Sequence, residues 1–218
     1  MDGLPEYISL NGPDNVGKTT QLRRLAERSP RFQALGSVHD HDPGTWQRVA
    51  GEGYARWWFE TSTTTELTRM LISGHTKRAA AKAAERTGLL DRGRPMLLAV
   101  AAATCALKDD LSVPAALERV TALAEEPSPD ETSVLLLPSL DSDRSYAITS
   151  ARENRPWTGV YPAYQRLLHQ VLLLQSELEM YPVVVLSEGR SAADVHAEVA
   201  GHLVSYLPSS PHAERKSP

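Results

Sequence analysis

The chain has 218 residues, 41% of them hydrophobic and 23% charged, which suits an ordinary globular protein with one α/β domain rather than two. Its formal net charge of -4 argues against a general nucleic-acid binder, because such proteins usually carry a basic field. Its single cysteine, Cys105, excludes an internal disulfide, so the fold does not depend on an oxidising compartment.

Neither the first residues nor the apolar segments indicate export or membrane insertion. The sequence starts Met-Asp-Gly-Leu-Pro-Glu, without the basic start and apolar run of a signal peptide. The longest apolar stretch, from Met96 to Leu107, is too short to span a bilayer and is typical of a buried helix. We therefore expect a cytoplasmic protein without a membrane partner.

Short apolar strands alternate with amphipathic helices in the first half of the chain. The stretch from Trp46 to Arg86 is helix-rich, and its glycines predict a break near residue 51 or 53. The elements predicted up to this point are a strand at Tyr7–Asn11, a helix at Thr19–Arg28, a strand at Ala34–His39, helices within Trp46–Arg86 and a strand at Gly88–Asp91.

The second half shows the same alternation. Arg94 to Leu107 is apolar on nearly all sides, as expected of a helix that lies buried on a sheet. Val134 to Leu137 is a continuous apolar strand, which is typical of a parallel sheet covered on both faces. The other predicted elements are a helix at Val113–Glu126, a polar stretch at Asp141–Pro156, a long helix carrying Tyr164 to Leu178, a strand at Val183–Leu186 and a closing helix capped by Ser191 and Asp194.

This alternation predicts an α/β fold with a doubly wound parallel sheet of about five strands and helices on both faces. One domain is expected over residues 1–207, and the polar, proline-bearing tail over residues 208–218 is expected to be disordered. Ligands of such sheets bind at the carboxyl ends of the strands. The first predicted strand ends at the most specific motif of the chain.

Residues 12–19, called the P-loop below, read Gly-Pro-Asp-Asn-Val-Gly-Lys-Thr and fit the Walker A pattern between a strand and a helix. Glycines let backbone N–H groups turn inward around anionic oxygens, and the helix N-terminus adds partial positive charge. Lys18 would bind the β- and γ-phosphates of ATP, and the Thr19 hydroxyl would ligate Mg²⁺. The predicted cofactors are thus ATP and Mg²⁺, held by Gly12, Asn15, Val16, Gly17, Lys18, Thr19 and Thr20.

A second anchor is the dipeptide Asp91-Arg92 at the end of the third predicted strand. The Asp91 carboxylate can hold the magnesium shell beside Lys18, and Arg92 can bind a phosphoryl oxygen. The alternative is a helix cap or a surface ion pair, which the same two residue types also form.

Several landmarks in order resemble thymidylate kinase. Asp14 lies within the P-loop, Thr20-Gln21 follows it, Asp42-Pro43-Gly44-Thr45 is similar to the family's Glu-Pro-Gly-Gly-Thr loop, and Asp91-Arg92 is similar to its Asp-Arg-aromatic signature. The resemblance spans about residues 5–205. It implies a P-loop NTPase fold of the nucleoside-monophosphate-kinase type, with a short mobile lid at about residues 141–156 and phosphate transfer from ATP to dTMP.

The charge beside the transferred phosphate differs within that family. Some thymidylate kinases carry an arginine directly after the P-loop aspartate, where this chain has Asn15. The resemblance implies that a lid arginine supplies the charge instead, and Arg144, Arg152 and Arg155 are the candidates. The alternative is that these arginines only solvate a flexible loop.

The acceptor side departs from the family. Gly93 replaces the aromatic residue of the signature, and the family's Asp-Arg pair on the long helix has no clear match near Ser73 to Arg78. The acceptor is therefore a nucleotide or a small metabolite with a hydroxyl or phosphate. The candidate acceptor-binding residues are Asp14, His41, Asp42, Trp57, His75, Arg78 and Arg92.

Two clusters near the second predicted strand have alternative interpretations. Residues 39–42 read His-Asp-His-Asp, and two histidines two apart on a strand would share a face and offer a metal site, although substrate binding is the favoured reading. Asp40 or Asp42 would act as a base if the acceptor is a hydroxyl. The aromatic rings at positions 46, 57, 58 and 59 either stack on a planar base or pack in the core, and core packing is favoured for at least two of them.

Three functional hypotheses follow. The first is an ATP-dependent nucleoside-monophosphate kinase for dTMP or an analogue, and the second is a kinase for a non-nucleotide metabolite. The third is a nucleotide-binding regulator without transfer, although the Asn-Lys-x-Asp motif of GTPase switches is absent from the sequence. The expected partner is a small-molecule phosphate acceptor. The apolar helix at Arg94–Leu107 would either form a homodimer interface or be covered by its own chain.

Overall fold

Five parallel strands form one sheet in a computed structural model that describes residues 4–51, 53–124, 129–153, 159–187 and 189–203. The strands are β1 (Tyr7–Asn11), β2 (Phe32–Ala34), β3 (Thr87–Asp91), β4 (Glu131–Leu137) and β5 (Val183–Val185). Their order across the sheet is β2-β3-β1-β4-β5, with all four pairings parallel. The predicted α/β fold with a five-stranded parallel sheet is confirmed.

Helices connect the strands and cover both faces of the sheet. They are α1 (Lys18–Arg28), α2 (Val38–His41), α3 (Pro43–Gly51), α4 (Tyr54–Arg56), which continues as a π-helical turn over Trp57–Thr61, α5 (Thr64–Ala80), α6 (Arg94–Asp109), α7 (Val113–Leu123), α8 (Ser142–Arg152), α9 (Tyr161–Glu179) and α10 (Ala192–His202). Within the described ranges, no helix has the length and apolar character needed to cross a membrane.

Strand β4 shows how the sheet is buried on both sides. Val134 and Leu136 pack into the core that contains residues of α1 and α10, whereas Leu135 and Leu137 pack into the larger core of α5, α6, α7 and α9. All four side chains are fully buried. Alternate residues of a strand point to opposite faces, so a continuous apolar run is what a sheet covered on both faces requires.

Helix α6 is the centre of the larger core. Every residue from Met96 to Ala106 is buried, and the helix packs against α5, α7 and α9 of its own chain. Its run of alanines lets these helices approach closely. Of the two alternatives for this helix, the structure therefore supports coverage by its own chain.

The second strand differs from its prediction. It covers Phe32–Ala34 instead of Ala34–His39, and residues 38–41 form the short helix α2. Ser37 and Asp40 form a capping box, in which the Asp40 carboxylate accepts hydrogen bonds from the Ser37 backbone N–H at 2.9 Å and hydroxyl at 3.0 Å. This local hydrogen bonding starts a helix where apolar pattern alone predicted a strand.

The sheet register brings two loops together. Leu10 of β1 pairs with Asp91 of β3, so the carboxyl ends of these strands lie side by side. The P-loop begins two residues after Leu10, and α6 begins three residues after Asp91. The pairing of β1 with β3 thus places the P-loop next to the Asp91-Arg92 dipeptide, as predicted from the sequence.

The packing of α6 predicts that enlarging an alanine there destabilises the fold. Ala102 is fully buried, so Ala102→Leu should lower the free energy of unfolding by about 1–3 kcal/mol through overpacking. The matched control is Ala115→Leu, on an exposed position of α7, which should change stability by less than about 0.5 kcal/mol. Urea denaturation measures both, and equal stabilities would contradict this account of the core.

Candidate active site

The P-loop curls because three of its residues adopt positive φ angles: Gly12 at 130°, Asn15 at 61° and Gly17 at 86°. A Cβ on Gly12 would lie 2.1 Å from the backbone oxygen of Leu136, so only glycine fits between β1 and β4. Asn is among the few other residues that tolerate this conformation. The turn leads directly into α1, which begins at Lys18.

Lys18 folds back into the loop. Its Nζ donates hydrogen bonds to the backbone oxygens of Gly12 at 3.0 Å and Pro13 at 2.7 Å, and the residue is buried. Burial and, to a lesser extent, the nearby Arg92 cation lower the pKa of Lys18 to about 8, although Asp91 and Asp14 oppose the shift. A bound polyphosphate would favour the charged form of this side chain.

Thr19 and Asp91 join the two loops. The Thr19 hydroxyl donates a hydrogen bond to Asp91 Oδ2 at 2.6 Å, and Asp91 Oδ1 is buried without a partner among the described residues. A hydroxyl and a carboxylate beside a phosphate loop are oxygen ligands of the kind that Mg²⁺ prefers, with its other positions taken by water and phosphate. The unpaired oxygen and the chemistry of this pair fit the predicted ion.

Arg92 crosses from β3 to the P-loop. Its φ angle is 66°, which is uncommon for a residue other than glycine, and its guanidinium forms an ion pair with Asp14. Both side chains remain partly exposed, at 36% for Arg92 and 46% for Asp14. The pair therefore stands at the surface of the site, where an anionic ligand can displace Asp14 from Arg92.

Arg78 supports the turn that presents Arg92. Its side chain is fully buried, and its guanidinium donates hydrogen bonds to the backbone oxygens of Asp91 at 3.1 Å and Arg92 at 2.7 Å. A third hydrogen bond, of 3.0 Å, goes to His75 Nδ1. Arg78 was predicted to bind the acceptor. In the structure it lines the cavity described below, and its hydrogen bonds also hold the backbone of the Asp91-Arg92 turn.

His75 is buried beside Arg78 and is neutral. Its Nδ1 accepts the hydrogen bond from Arg78, so the ring proton is on Nε2, which lies 3.9 Å from the Glu131 carboxylate. Burial lowers the pKa of His75 to about 3, and the cations of Arg78 and Arg94 contribute. The contact with Glu131 is thus not an ion pair, and His75 was also predicted to bind the acceptor but does not line the cavity described below.

A buried polar network lies under the start of α6. Glu131 accepts a hydrogen bond from the Arg94 backbone N–H at 3.1 Å, and Asn11 accepts one from the Gly93 N–H at 2.9 Å. Burial raises the pKa of Glu131. A Cβ on Gly93 would lie 1.8 Å from Glu131 Oε1 and 2.4 Å from the Ser9 Cβ, so the aromatic residue of the thymidylate kinase signature has no room here.

The predicted lid segment, residues 141–156, is helical over most of its described length. Arg152, at the end of α8, donates a hydrogen bond of 3.0 Å from Nη1 to the backbone oxygen of Asn15. One lid arginine therefore contacts the P-loop at the residue where some thymidylate kinases have their own arginine. Arg144 lies exposed on α8, and Arg155 lies outside the described residues.

Helix α8 is tied to α9. Arg166 forms an ion pair with Asp143, and its guanidinium lies 4.6 Å from the ring centroid of Tyr146. These contacts, together with the helix cap that Asp141 provides at the Arg144 N–H, give residues 141–153 a regular helical structure. The predicted tail at residues 208–218 lies outside the described residues.

A cavity of about 810 Å³ opens beside the P-loop. Asp14, Asp91 and Arg92 lie at its polar end. Helix α2, the π-helical turn and α9 supply further lining residues, and α5 and α6 contribute an apolar floor. The aromatic lining residues are Trp46, Tyr54, Trp58, Phe59, Tyr161 and Tyr164. Its position at the carboxyl ends of β1 and β3 is where ligands of such sheets bind.

Three further candidates for acceptor binding lie away from this cavity. His41 Nε2 is 2.6 Å from the backbone oxygen of Leu35, Asp42 forms a 2.9 Å ion pair with Lys77, and Trp57 is buried in the core. Helix α2 replaces the predicted strand, and this change turns His41 and Asp42 away from the cavity. The cavity wall is formed by Trp58 instead of Trp57 because the two neighbours point in different directions on a helical turn.

The described ranges contain no group of three His, Cys, Asp or Glu side chains that could hold a metal ion. The alternative metal site at residues 39–42 therefore lacks a supporting cluster, and its strand geometry was wrong. A single carboxylate with a hydroxyl, as in Asp91 and Thr19, does not form such a cluster. It suits Mg²⁺ that is bound jointly with substrate phosphates.

Several residues of the site were missed in the sequence. Ser9 and Asn11 alternate with apolar residues on β1, which is a signal for a polar patch on one face of the sheet, and β4 begins with the polar run Glu131-Thr132-Ser133. Tyr161, Tyr164 and Leu168 recur at helical spacing, which predicts one face of α9. Neither pattern reveals that the polar residues of β1 and β4 lie under the start of α6, or that the α9 residues line the cavity.

The sheet order, the covering helices and the loop at the end of β1 define an α/β fold of the thymidylate kinase type. The solved structure of thymidylate kinase from Ehrlichia chaffeensis matches with a TM-score of 0.53 and 13% identity, covering 93% of this chain and 99% of that chain. No protein-family model matches the sequence, and no curated protein matches it either. The resemblance inferred from the motifs is thus confirmed at the level of the fold.

The hydrogen bonds of Arg78 predict a structural cost for its removal. Arg78→Met would leave the backbone oxygens of Asp91 and Arg92 buried without donors, so the free energy of unfolding should fall by about 2–4 kcal/mol. Arg69→Met, on an exposed position of the same helix, should change it by less than about 0.5 kcal/mol. Urea denaturation compares the two variants, and similar stabilities would remove Arg78 from its supporting role.

The buried neutral His75 predicts a specific loss of stability in acid. Its folded pKa of about 3 lies below the ordinary 6.5, so the unfolded chain binds an extra proton between these values and stability falls as the pH drops through that window. Between pH 6.5 and 5 this group alone should cost about 2 kcal/mol. His75→Gln lacks this contribution.

Urea denaturation of both proteins at pH 7 and pH 5 measures the difference. The parent protein should lose about 2 kcal/mol more than the His75→Gln variant. Because each protein is compared with itself at two pH values, a pH-independent effect of the substitution cancels. The titration of groups common to both proteins cancels as well. Equal losses would show that His75 has an ordinary pKa in the folded state.

Proposed function

We propose that this protein is an ATP-dependent phosphotransferase that moves the γ-phosphate of ATP to a small acceptor bound in the 810 Å³ cavity. The observation that carries the proposal is the 2.6 Å hydrogen bond between Thr19 and Asp91, next to a buried Lys18 inside a glycine-turned loop. A polyphosphate needs a cation, turned backbone N–H groups and a magnesium ligand pair at one point, and all three are present there.

The residues of the site have separable roles in the transfer. Lys18 exchanges its bonds to the Gly12 and Pro13 oxygens for bonds to β- and γ-phosphate oxygens. Thr19 and Asp91 would hold Mg²⁺, which would neutralise phosphate charge when bound. Arg152, hydrogen-bonded to the Asn15 oxygen, adds a cation on the lid side of the loop. These groups position the phosphates and neutralise charge, which is the main requirement of phosphoryl transfer.

In the transfer, an acceptor oxygen forms a bond to the γ-phosphorus while the bond from that phosphorus to the β–γ bridging oxygen breaks. ADP leaves with the electron pair of the broken bond. A phosphate acceptor loses no proton in this step, whereas a hydroxyl acceptor must give one to a base. Asp14 lines the polar end of the cavity and is the carboxylate available for that proton once Arg92 binds the acceptor.

The acceptor classes considered from the sequence were nucleoside monophosphates, such as dTMP, and non-nucleotide metabolites. The fold of a thymidylate kinase supports the first class as an analogy only. The cavity lining supports the second, since the predicted contacts from His41, Asp42 and His75 are made elsewhere. A regulator that binds nucleotide without transfer would not need an acceptor cavity open to the P-loop.

The role of the P-loop is tested with Lys18→Ala. Isothermal titration calorimetry with ATP and Mg²⁺ should show at least about a tenfold loss of affinity, since a charged donor to phosphate is removed. The control Lys77→Ala, a surface ion-pair partner of Asp42 that is 50% exposed, should bind ATP as the parent does. Unchanged ATP binding by Lys18→Ala would remove the P-loop from the mechanism.

A further inference from the structure

The cavity wall holds two groups of three aromatic rings. Trp46, Tyr54 and Trp58 lie nearly parallel, with interplanar angles of 21° to 26° and ring centroids 5.2 to 6.2 Å apart. Phe59 meets Tyr161 and Tyr164 edge to face, with centroids 6.3 and 5.1 Å away. Six rings around one cavity form a surface that favours flat, apolar ligand groups.

The floor of the cavity is apolar throughout. It consists of side chains that are at most 8% exposed, and none of them has a hydrogen-bonding nitrogen or oxygen. These floor residues are Leu71, Met96, Leu97, Val100 and Leu168. A ligand group that rests here therefore receives no hydrogen bond from the side chains beneath it.

Apart from the hydroxyls of the three tyrosines, several polar side chains around the rings are already engaged or are exposed to solvent. The Trp58 indole N–H donates to Thr104 at 3.1 Å, and Gln165 is hydrogen-bonded to Tyr161. Arg56 and Glu60 are exposed. Two buried donors of the lining have no partner among the described residues, the Trp46 N–H and the Nε–H of Arg78 beside the Asp91-Arg92 turn.

A pyrimidine base fits the apolar floor poorly. Its edge carries two carbonyl oxygens and a ring N–H, and each of these groups loses a hydrogen bond to water when the base is buried. An unsatisfied buried polar group lowers affinity by about tenfold or more. A planar hydrocarbon body loses nothing of this kind and gains from leaving water.

Charged side chains also line the cavity beside the P-loop. They are Asp14, Asp91, Arg92 and the buried Arg78. Arg92 suits a single anionic or hydroxyl group of the ligand, placed next to the γ-phosphate of ATP. The cavity thus has one polar end and one long apolar end.

From this arrangement we infer that the acceptor is a planar, largely apolar aryl or fused-ring compound that carries one phosphate or hydroxyl group. The inference rests on the proposed function and narrows its substrate class. The ring system lies on the apolar floor among the six aromatic side chains, and the polar group reaches Arg92. A bare pyrimidine nucleotide is a weaker ligand of this cavity.

Three phosphomonoesters test the inference, because they share the phosphate and differ in the attached body. They are 1-naphthyl phosphate, dTMP and ribose 5-phosphate. Isothermal titration calorimetry of the full chain, saturated with Mg²⁺ and a non-hydrolysable ATP analogue, measures their affinities. We expect 1-naphthyl phosphate to bind at least about tenfold more tightly than dTMP, and ribose 5-phosphate to bind most weakly.

The two phenylalanines of the chain provide a matched pair of variants. Phe59→Leu removes an aromatic ring from the cavity wall and should weaken the binding of 1-naphthyl phosphate at least about fivefold. Phe32→Leu makes the same change in the separate core on the α1 side and should leave that affinity unchanged. Tyr54→Leu, at a ring that is 46% exposed, tests the wall without disturbing a buried core.

The outcomes separate the inference from the proposed function. If the ATP analogue binds but dTMP binds as tightly as 1-naphthyl phosphate or more tightly, the aryl acceptor is wrong and the phosphotransferase stands. Binding of the analogue without binding of any of the three esters also overturns the inference. If the analogue itself does not bind, the proposed function fails and the inference fails with it.

Discussion

The parallel pairing of β1 with β3 is the constraint on which the rest of the site depends. It sets Leu10 beside Asp91, and from this register the Thr19 hydroxyl reaches the Asp91 carboxylate at 2.6 Å. Two loops that are more than 70 residues apart in sequence thereby form one polar end of a cavity. A shift of one residue in this register would turn the Asp91 side chain to the other face of the sheet and separate the pair.

The buried charges of the site serve its geometry. Burying Arg78 carries a desolvation cost, which its hydrogen bonds to the backbone oxygens of Asp91 and Arg92 offset. These bonds hold Arg92 at its φ of 66°, a conformation that a non-glycine residue adopts at some cost. Glu131 caps the start of α6 from below and fills the space beside Gly93. Their combined effect is a fixed orientation for the two side chains that face the ligands.

The same packing accounts for the departures from the thymidylate kinase pattern. Gly93 cannot become aromatic, because Glu131 and Ser9 fill the volume that its side chain would need. The π-helical turn and the start of α9 supply aromatic rings to the cavity wall. The P-loop follows the Walker A pattern, whereas the residues near the cavity depart from the thymidylate kinase motifs. A shared fold therefore does not fix the residues that line its cavity.

The sequence by itself determined what local patterns can encode. The P-loop is eight consecutive residues, the strands are apolar runs, and α6 is apolar on nearly all sides, so the fold class and the position of the P-loop could be read directly. Tertiary structure decided the rest. The six cavity rings come from three separate segments, and the short helix α2 turned His41 and Asp42 away from the site. Side-chain direction and long-range contacts depend on how helices and strands pack together. Periodicity along one element predicts its buried face but does not identify the elements that pack against that face.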